Sequence, residues 1–145
     1  QAKLLPIGSW EVEKKGEDIV ILAVGPMVYS VLDVASDLEQ SGIICEVVNC
    51  RFIKPMDTAY LNSIIRRFNK VITIEEGVIN GGFGDGVSSW LLENGYKGKM
   101  KRLGLPDSYV EHGSRAQILN QLSLDGLGIK NMVKDLFESI EEVSK

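Results

Sequence analysis

Histidine is almost missing from this chain. There is one in 145 residues, beside two cysteines, two tryptophans and four prolines. One imidazole and two thiols argue against a zinc or iron centre, and two cysteines are too few for a disulfide framework. Cys45 falls inside a strand-like run and Cys50 at its end, which also speaks against a shared metal site. As small buried hydrophobes both suit a reducing, cytoplasmic setting. No apolar stretch approaches the roughly 20 residues of a membrane span. A net charge of -4 gives no general attraction to nucleic acid or anionic lipid, so neither is expected as a partner. The opening Gln1–Pro6 has no Met and no signal-peptide pattern, and reads as the continuation of a longer polypeptide.

What is present is a regular alternation of strand-like and helical runs in a length that fits one domain. Asp18–Ala23 is a short apolar run closed by Gly25-Pro26, as a buried parallel strand would be. Val28, Val31, Leu32, Ala35 and Leu38 then share a helical face that Gly42 ends. Ile43–Val48 is the next strand, and Leu61, Ile64, Ile65 and Phe68 make a second helical stripe. Val71–Ile74 is a third strand, ahead of Glu75, Glu76 and a glycine-rich turn. A helix carrying Val87, Trp90 and Leu91 comes next, then a charge-interrupted strand at Met100–Leu105. Ser114 with Gln117 forms a capping box, and Ile129, Met132, Val133, Leu136, Phe137 and Ile140 mark a last amphipathic helix. The pattern predicts an α/β fold, a three-layer αβα domain with a mostly parallel sheet of about five strands and helices on both faces. Residues 1–17 read as a linker and edge segment, with Trp10 and Val12 on an edge strand or the sheet rim, and residues 18–145 as the domain. Trp90, Phe83 and the last helix are candidate contacts for a second copy.

Three constellations could carry chemistry. Asn49-Cys-Arg-Phe-Ile-Lys-Pro-Met-Asp57 places Arg51 and Lys54 just past a strand, with Asp57 able to cap the next helix. Open α/β sheets bind ligands at the carboxyl ends of their strands, and a guanidinium matches phosphate or carboxylate bidentately. The plainer alternative pairs Arg51 with Asp57 or Glu76 and leaves Lys54 solvated. Glu75-Glu76-Gly77 through Gly81-Gly-Phe-Gly84 fails the dinucleotide fingerprint, because Val87 stands where the third glycine belongs. It reads as a tight turn with close helix–strand packing, or as a loop meeting another domain or subunit. Gly84-Asp85-Gly86 begins like a magnesium–diphosphate motif, but the Asn that should follow is misplaced: Asn94 is too near and Asn120 too far. The match is rejected. His112, beside Glu111 and near Tyr109 and Arg115, is either a proton shuttle or a hydrogen-bonded loop anchor. No nucleophile is positioned against it.

Taken together, Arg51-Phe-Ile-Lys-Pro-Met-Asp57, Thr73-Ile-Glu-Glu-Gly77 with Gly81-Gly-Phe-Gly84, and Leu103-Gly-Leu-Pro-Asp107 with Glu111-His-Gly-Ser-Arg115 resemble the C-terminal domain of the 1-deoxy-D-xylulose-5-phosphate synthases. Leu5-Pro-Ile-Gly8 and Leu124-Asp125-Gly126-Leu-Gly-Ile129 extend the likeness over nearly the whole chain. The first two blocks are shared more loosely by all transketolase C-terminal domains, including 2-oxoacid dehydrogenase beta subunits, where such a domain is a docking module. The Leu-Pro-Asp and His-Gly-Ser block favours the synthase. The resemblance implies a cytoplasmic homodimer that condenses pyruvate with glyceraldehyde 3-phosphate, with loss of carbon dioxide, for isoprenoid precursor, thiamine and pyridoxal biosynthesis. Thiamine diphosphate and magnesium would be held by upstream domains and not by this segment, which would be silent alone. The resemblance gives Arg51 the acceptor's phosphate, with Lys54 reinforcing the potential, and leaves Glu75, Glu76 and His112 as loop or interface residues.

Overall fold

The computed structural model describes residues 8–51, 55–78, 82–105 and 126–139, apart from the side chains of 76–78 and 105. Its strands are β1 (Glu11–Lys14), β2 (Ile19–Ala23), β3 (Cys45–Asn49), β4 (Lys70–Val78) and β5 (Lys99–Leu105). Its helices are α1 (Met27–Gln40), α2 (Thr58–Arg67), α3 (Phe83–Glu93) and α4 (Gly126–Glu138). The strands form one sheet in the order β1-β3-β2-β4-β5. Every pairing is parallel except β1 with β3.

Side-chain alternation builds the two outer layers. On β2, Ile19, Ile21 and Ala23 point into one cluster and Val20 and Leu22 into the other, and all five are fully buried. The first cluster is closed by α1 and α4 through Val28, Val31, Ala35, Leu38, Ile129, Val133 and Leu136. The second is closed by α2 and α3 through Leu61, Ile64, Val87 and Leu91. The expected three-layer architecture is present. Among the described residues no helix is long and apolar enough to cross a membrane.

Several boundaries differ from the sequence reading, each for a local reason. β3 starts at Cys45, because Ile44 is tied to the preceding turn: its N–H donates to Asp18 Oδ2 at 2.7 Å, and its carbonyl accepts from Glu17 and Asp18. β4 runs past Ile74 through Glu75, Glu76 and Gly77, with a register shift against β5 between Ile74 and Val78. The charged β5 forms as the last strand of the sheet among the described residues, where lysines are tolerated. Trp10 and Val12 behave as an edge segment, Trp10 leading into β1. Phe83 is no surface contact for a second copy. It is buried, its ring 5.6 Å from that of Trp10. The Ser114 capping box and Ile140 lie outside the described residues.

Candidate functional site

β3 delivers Arg51 to the carboxyl rim of the sheet. Cys50 continues the strand direction, its N–H donating to Ala23 O at 2.9 Å, and its side chain is buried. The next residue is therefore forced outward, and Arg51 is exposed. Its Nη2 donates to Ser9 O at 2.8 Å, with Ser9 Oγ at 3.4 Å. Asp57, one of the carboxylates weighed as its partner, is engaged elsewhere. Its Oδ1 accepts from Tyr60 N at 3.0 Å, capping α2, and its Oδ2 accepts from Trp10 N at 2.8 Å. Lys54 and the Glu76 side chain lie outside the described residues.

Glu75 sits in β4 and not in the loop after it. Its side chain points toward α3, as those of Val71 and Thr73 do, and is 6% exposed. Such a carboxylate must be satisfied. It accepts from Phe83 N at 2.9 Å and Gly84 N at 2.6 Å, so it caps α3 from the neighbouring strand. That bond pattern explains why β4 outruns the apolar segment. Gly84 is required by contact: a Cβ there would lie 2.6 Å from Thr73 Oγ1 and 3.2 Å from Glu75 Oε2. The Thr73 hydroxyl itself is buried without a hydrogen-bond partner among the described residues. Asp85 of the Gly-Asp-Gly stretch lies in the first turn of α3, with Arg102 Nη1 at 3.1 Å from Oδ1. Among the described residues no three His, Cys, Asp or Glu side chains converge on a metal position. His112 and its neighbours lie outside the described residues.

Sequence reasoning missed one cluster. Glu46 on β3 is 2% exposed and accepts from Arg67 Nη1 at 3.2 Å, Arg67 Nη2 at 2.9 Å and Gly16 N at 3.3 Å. Tyr60 OH donates to it as well. Burial works to raise the Glu46 pKa, but the bonds from Arg67, Tyr60 and Gly16, with the Arg67 charge, outweigh it and hold the carboxyl below its ordinary range. Tyr60 is pushed well up, by burial and by the Glu46 carboxylate. The signal was a Glu in an otherwise apolar strand, on the face that Val48 also uses. The cluster pins α2 to β3 and offers no open coordination position. A groove of about 620 Å³ between β5 and α4, lined by Lys99, Lys101, Asn131, Met132, Asp135 and Leu136 among others, contains none of the candidate site residues Arg51, Lys54, Glu75, Glu76 and His112.

Residues 8–129 match the transketolase C-terminal domain family. The chain belongs to that family. It is 42% identical over 125 residues, 86% of its length, to the 1-deoxy-D-xylulose-5-phosphate synthases of Bacillus mycoides (strain KBAB4) and Bacillus anthracis, and spans about 20% of each. Among solved structures it is similar to a split-gene transketolase in an inactive beta4 tetramer, at TM-score 0.83 and 29% identity, covering 92% of this chain and 43% of that one. Transketolase from Campylobacter jejuni shares the fold at TM-score 0.61 and 20% identity, over 88% of this chain and 18% of that one. The relatives favour the synthase over the docking-module alternative.

Proposed function

We propose that this chain is the C-terminal domain of a 1-deoxy-D-xylulose-5-phosphate synthase, with Arg51 holding the phosphate of the acceptor glyceraldehyde 3-phosphate. The observation that carries the family reading is the 42% identity over 86% of the chain to proteins of that name. The role of Arg51 is supported by its place: exposed, one residue past a buried Cys50, at the rim where open sheets receive ligands. A guanidinium carries five donors in a fixed fork. It can grip a phosphate and so orient the aldehyde for attack without touching the reacting carbon. Lys54, three residues on in the sequence, would reinforce the positive potential.

Thiamine diphosphate would supply the electron sink for decarboxylating pyruvate and joining the fragment to the aldehyde. The described residues do not fit that cofactor or its magnesium. Asp85, the one match to a metal motif, pairs with Arg102, and among the described residues no three His, Cys, Asp or Glu side chains converge on a metal position. No step is therefore assigned to the cofactor in this domain. In this reading residues 1–17 join it to upstream cofactor-binding domains, the whole protein is a cytoplasmic homodimer, and the domain alone is silent.

The test is Arg51→Ala in the full-length enzyme. Losing one charge-assisted phosphate contact should weaken the apparent affinity for glyceraldehyde 3-phosphate by about 1.5–3 kcal/mol, with a smaller effect on pyruvate. Equal loss toward both substrates overturns the phosphate role. Turnover by the 145-residue chain alone, supplied with both substrates, thiamine diphosphate and magnesium, overturns the division of labour.

A further inference from the structure

The face of the sheet that α4 covers has an open margin at β5. In the parallel register Lys99 and Lys101 lie level with Lys70 and Ile72, so they point to the same side. Ile72 belongs to the cluster that Ile129, Val133 and Leu136 close, which makes that side the one under α4. Between helix and strand runs the groove of about 620 Å³, with the two lysines on one wall and α4 from Gly128 through Met132 and Leu136 on the other. Ser139 stands at its end. The Ser139 Oγ and N–H both donate to Leu136 O, at 2.6 and 3.2 Å. Lys70 Nζ donates to Phe137 O at 2.8 Å and to Ser139 O at 3.4 Å. The chain therefore leaves the described residues at a held point, beside Lys70 and one strand from Lys99.

The sequence continues Ile140-Glu-Glu-Val-Ser-Lys145. We propose that residues 140–145 dock in this groove as an electrostatic latch, with Glu141 and Glu142 facing Lys99 and Lys101, and so hold α4 against the margin of the sheet. The charges are complementary. Two adjacent carboxylates meet two ammonium groups on β5, while Asp135 on the helix wall repels the opposite placement. The apolar surfaces match as well, since Ile140 and Val143 flank the acids and Met132 and Leu136 line the helix wall. The reach is sufficient. From residue 128 to residue 139 that wall is about 17 Å long, and six extended residues span about 20 Å. Lys101 stands only about 7 Å along β5 from Lys99. Because the groove is open to water, each ion pair is weak and screened by salt. The latch depends on no part of the Arg51 reading.

The test joins the partners as they stand in the full-length protein. A water-soluble carbodiimide couples a carboxylate to a lysine amine in direct contact, with loss of water and no spacer. Peptide mass spectrometry should find Glu141 or Glu142 joined to Lys99 or Lys101, with the yield falling about threefold or more in concentrated salt. The reaction is run on a mixture of ordinary and heavy-isotope-labelled protein. A joined pair with one peptide from each would come from two chains; it overturns the latch and assigns the groove to a second copy. Absence of these links, or links from Glu141 and Glu142 only to lysines elsewhere, overturns it too. The hold on α4 is read by hydrogen exchange. Glu141→Lys with Glu142→Lys should speed exchange of the last-turn amides of α4 about two- to fivefold, the size of one or two exposed ion pairs. Adding Lys99→Glu with Lys101→Glu should restore slow exchange, and a swap that restores nothing overturns the pairing.

Discussion

Arg67→Ala probes the buried carboxylate that holds α2 to the sheet. Removing one partner of a fully buried pair destabilises a protein by about 3–5 kcal/mol. Here the two ends differ: the Glu46 side chain is 3% exposed and that of Arg67 is 43% exposed. Water at the guanidinium screens the charge interaction, and Tyr60 OH and Gly16 N still donate to Glu46 after the deletion. The loss at neutral pH should therefore fall below that range, at about 2 kcal/mol. Its pH dependence has a definite sign. The Glu46 pKa lies below its ordinary 4.5 in the folded state, despite burial, because of Arg67, Tyr60 and Gly16. Its stabilisation is thus fully present above the unfolded value and disappears as pH falls through the lower folded one. Urea unfolding of the wild type and Arg67→Ala, followed by tryptophan fluorescence from neutral pH down to about pH 3, reads the difference; the gap should close in the acid limb. A gap of constant size across that range refutes the electrostatic account. It would assign the loss instead to the guanidinium packed over the Phe68 ring, 4.9 Å from its centroid.

Gly84→Ala should destabilise by about 1–3 kcal/mol, since the new Cβ meets the buried Thr73 and Glu75 side chains; a thermal midpoint equal to wild type would contradict the packing. Thr73→Val removes a buried hydroxyl that has no partner among the described residues and should raise stability by about 1 kcal/mol in urea titration. A loss there would mean the hydroxyl is satisfied in solution. Burial, with Asp18 adding, raises the Cys45 thiol to about 12, and burial with Asp57 holds Cys50 well above its ordinary value. A disulfide reagent at neutral pH should therefore leave both thiols intact in the native protein and titrate them after unfolding. Labelling in the native state would disprove their burial.

The apolar runs made the sheet legible. β2 is apolar at every position because both of its faces are covered, and the helical stripes named the buried positions of α1, α2 and α4 with few exceptions. Phe137 is one such exception. It lies on the stripe but is 37% exposed, and Lys70 covers it, with Nζ 5.5 Å from the ring centroid. Where polar groups decide a boundary, pattern reading failed. Glu75 looks like the end of a strand by composition, yet its carboxylate finds two helix N–H groups eight and nine residues on, so the strand continues. Glu46 fails in the same way. A single charge among valines carries no mark of the Arg67 and Tyr60 that wait for it on the next helix. Arg51 was visible because a chain-local motif marks it, whereas Ser9 O, 42 residues away, is a backbone atom and has no sequence signature.

The two internally held carboxylates bear on which group is able to receive an anion at this rim. A helix N-terminus is a ready anion site, through its unpaired N–H groups and its dipole. In the layer that α2 and α3 build, both such ends are filled from within the chain. Asp57 takes Tyr60 N on α2, and Glu75 takes Phe83 N and Gly84 N on α3. A phosphate approaching α3 would meet the Glu75 carboxylate already lying against those donors, and repulsion would turn it away. The same geometry is in keeping with the failed dinucleotide fingerprint, because Gly84 admits a close approach by Thr73 and Glu75 where a pyrophosphate would otherwise lie. On the proposed reading, anion recognition in this layer falls to a side-chain cation that the sheet pushes outward, the place Arg51 holds. Opening the α3 end by Glu75→Gln should destabilise the helix without creating phosphate affinity, because the amide still occupies the position. An anion titration of that variant, read by calorimetry and showing strong new binding, would break the argument.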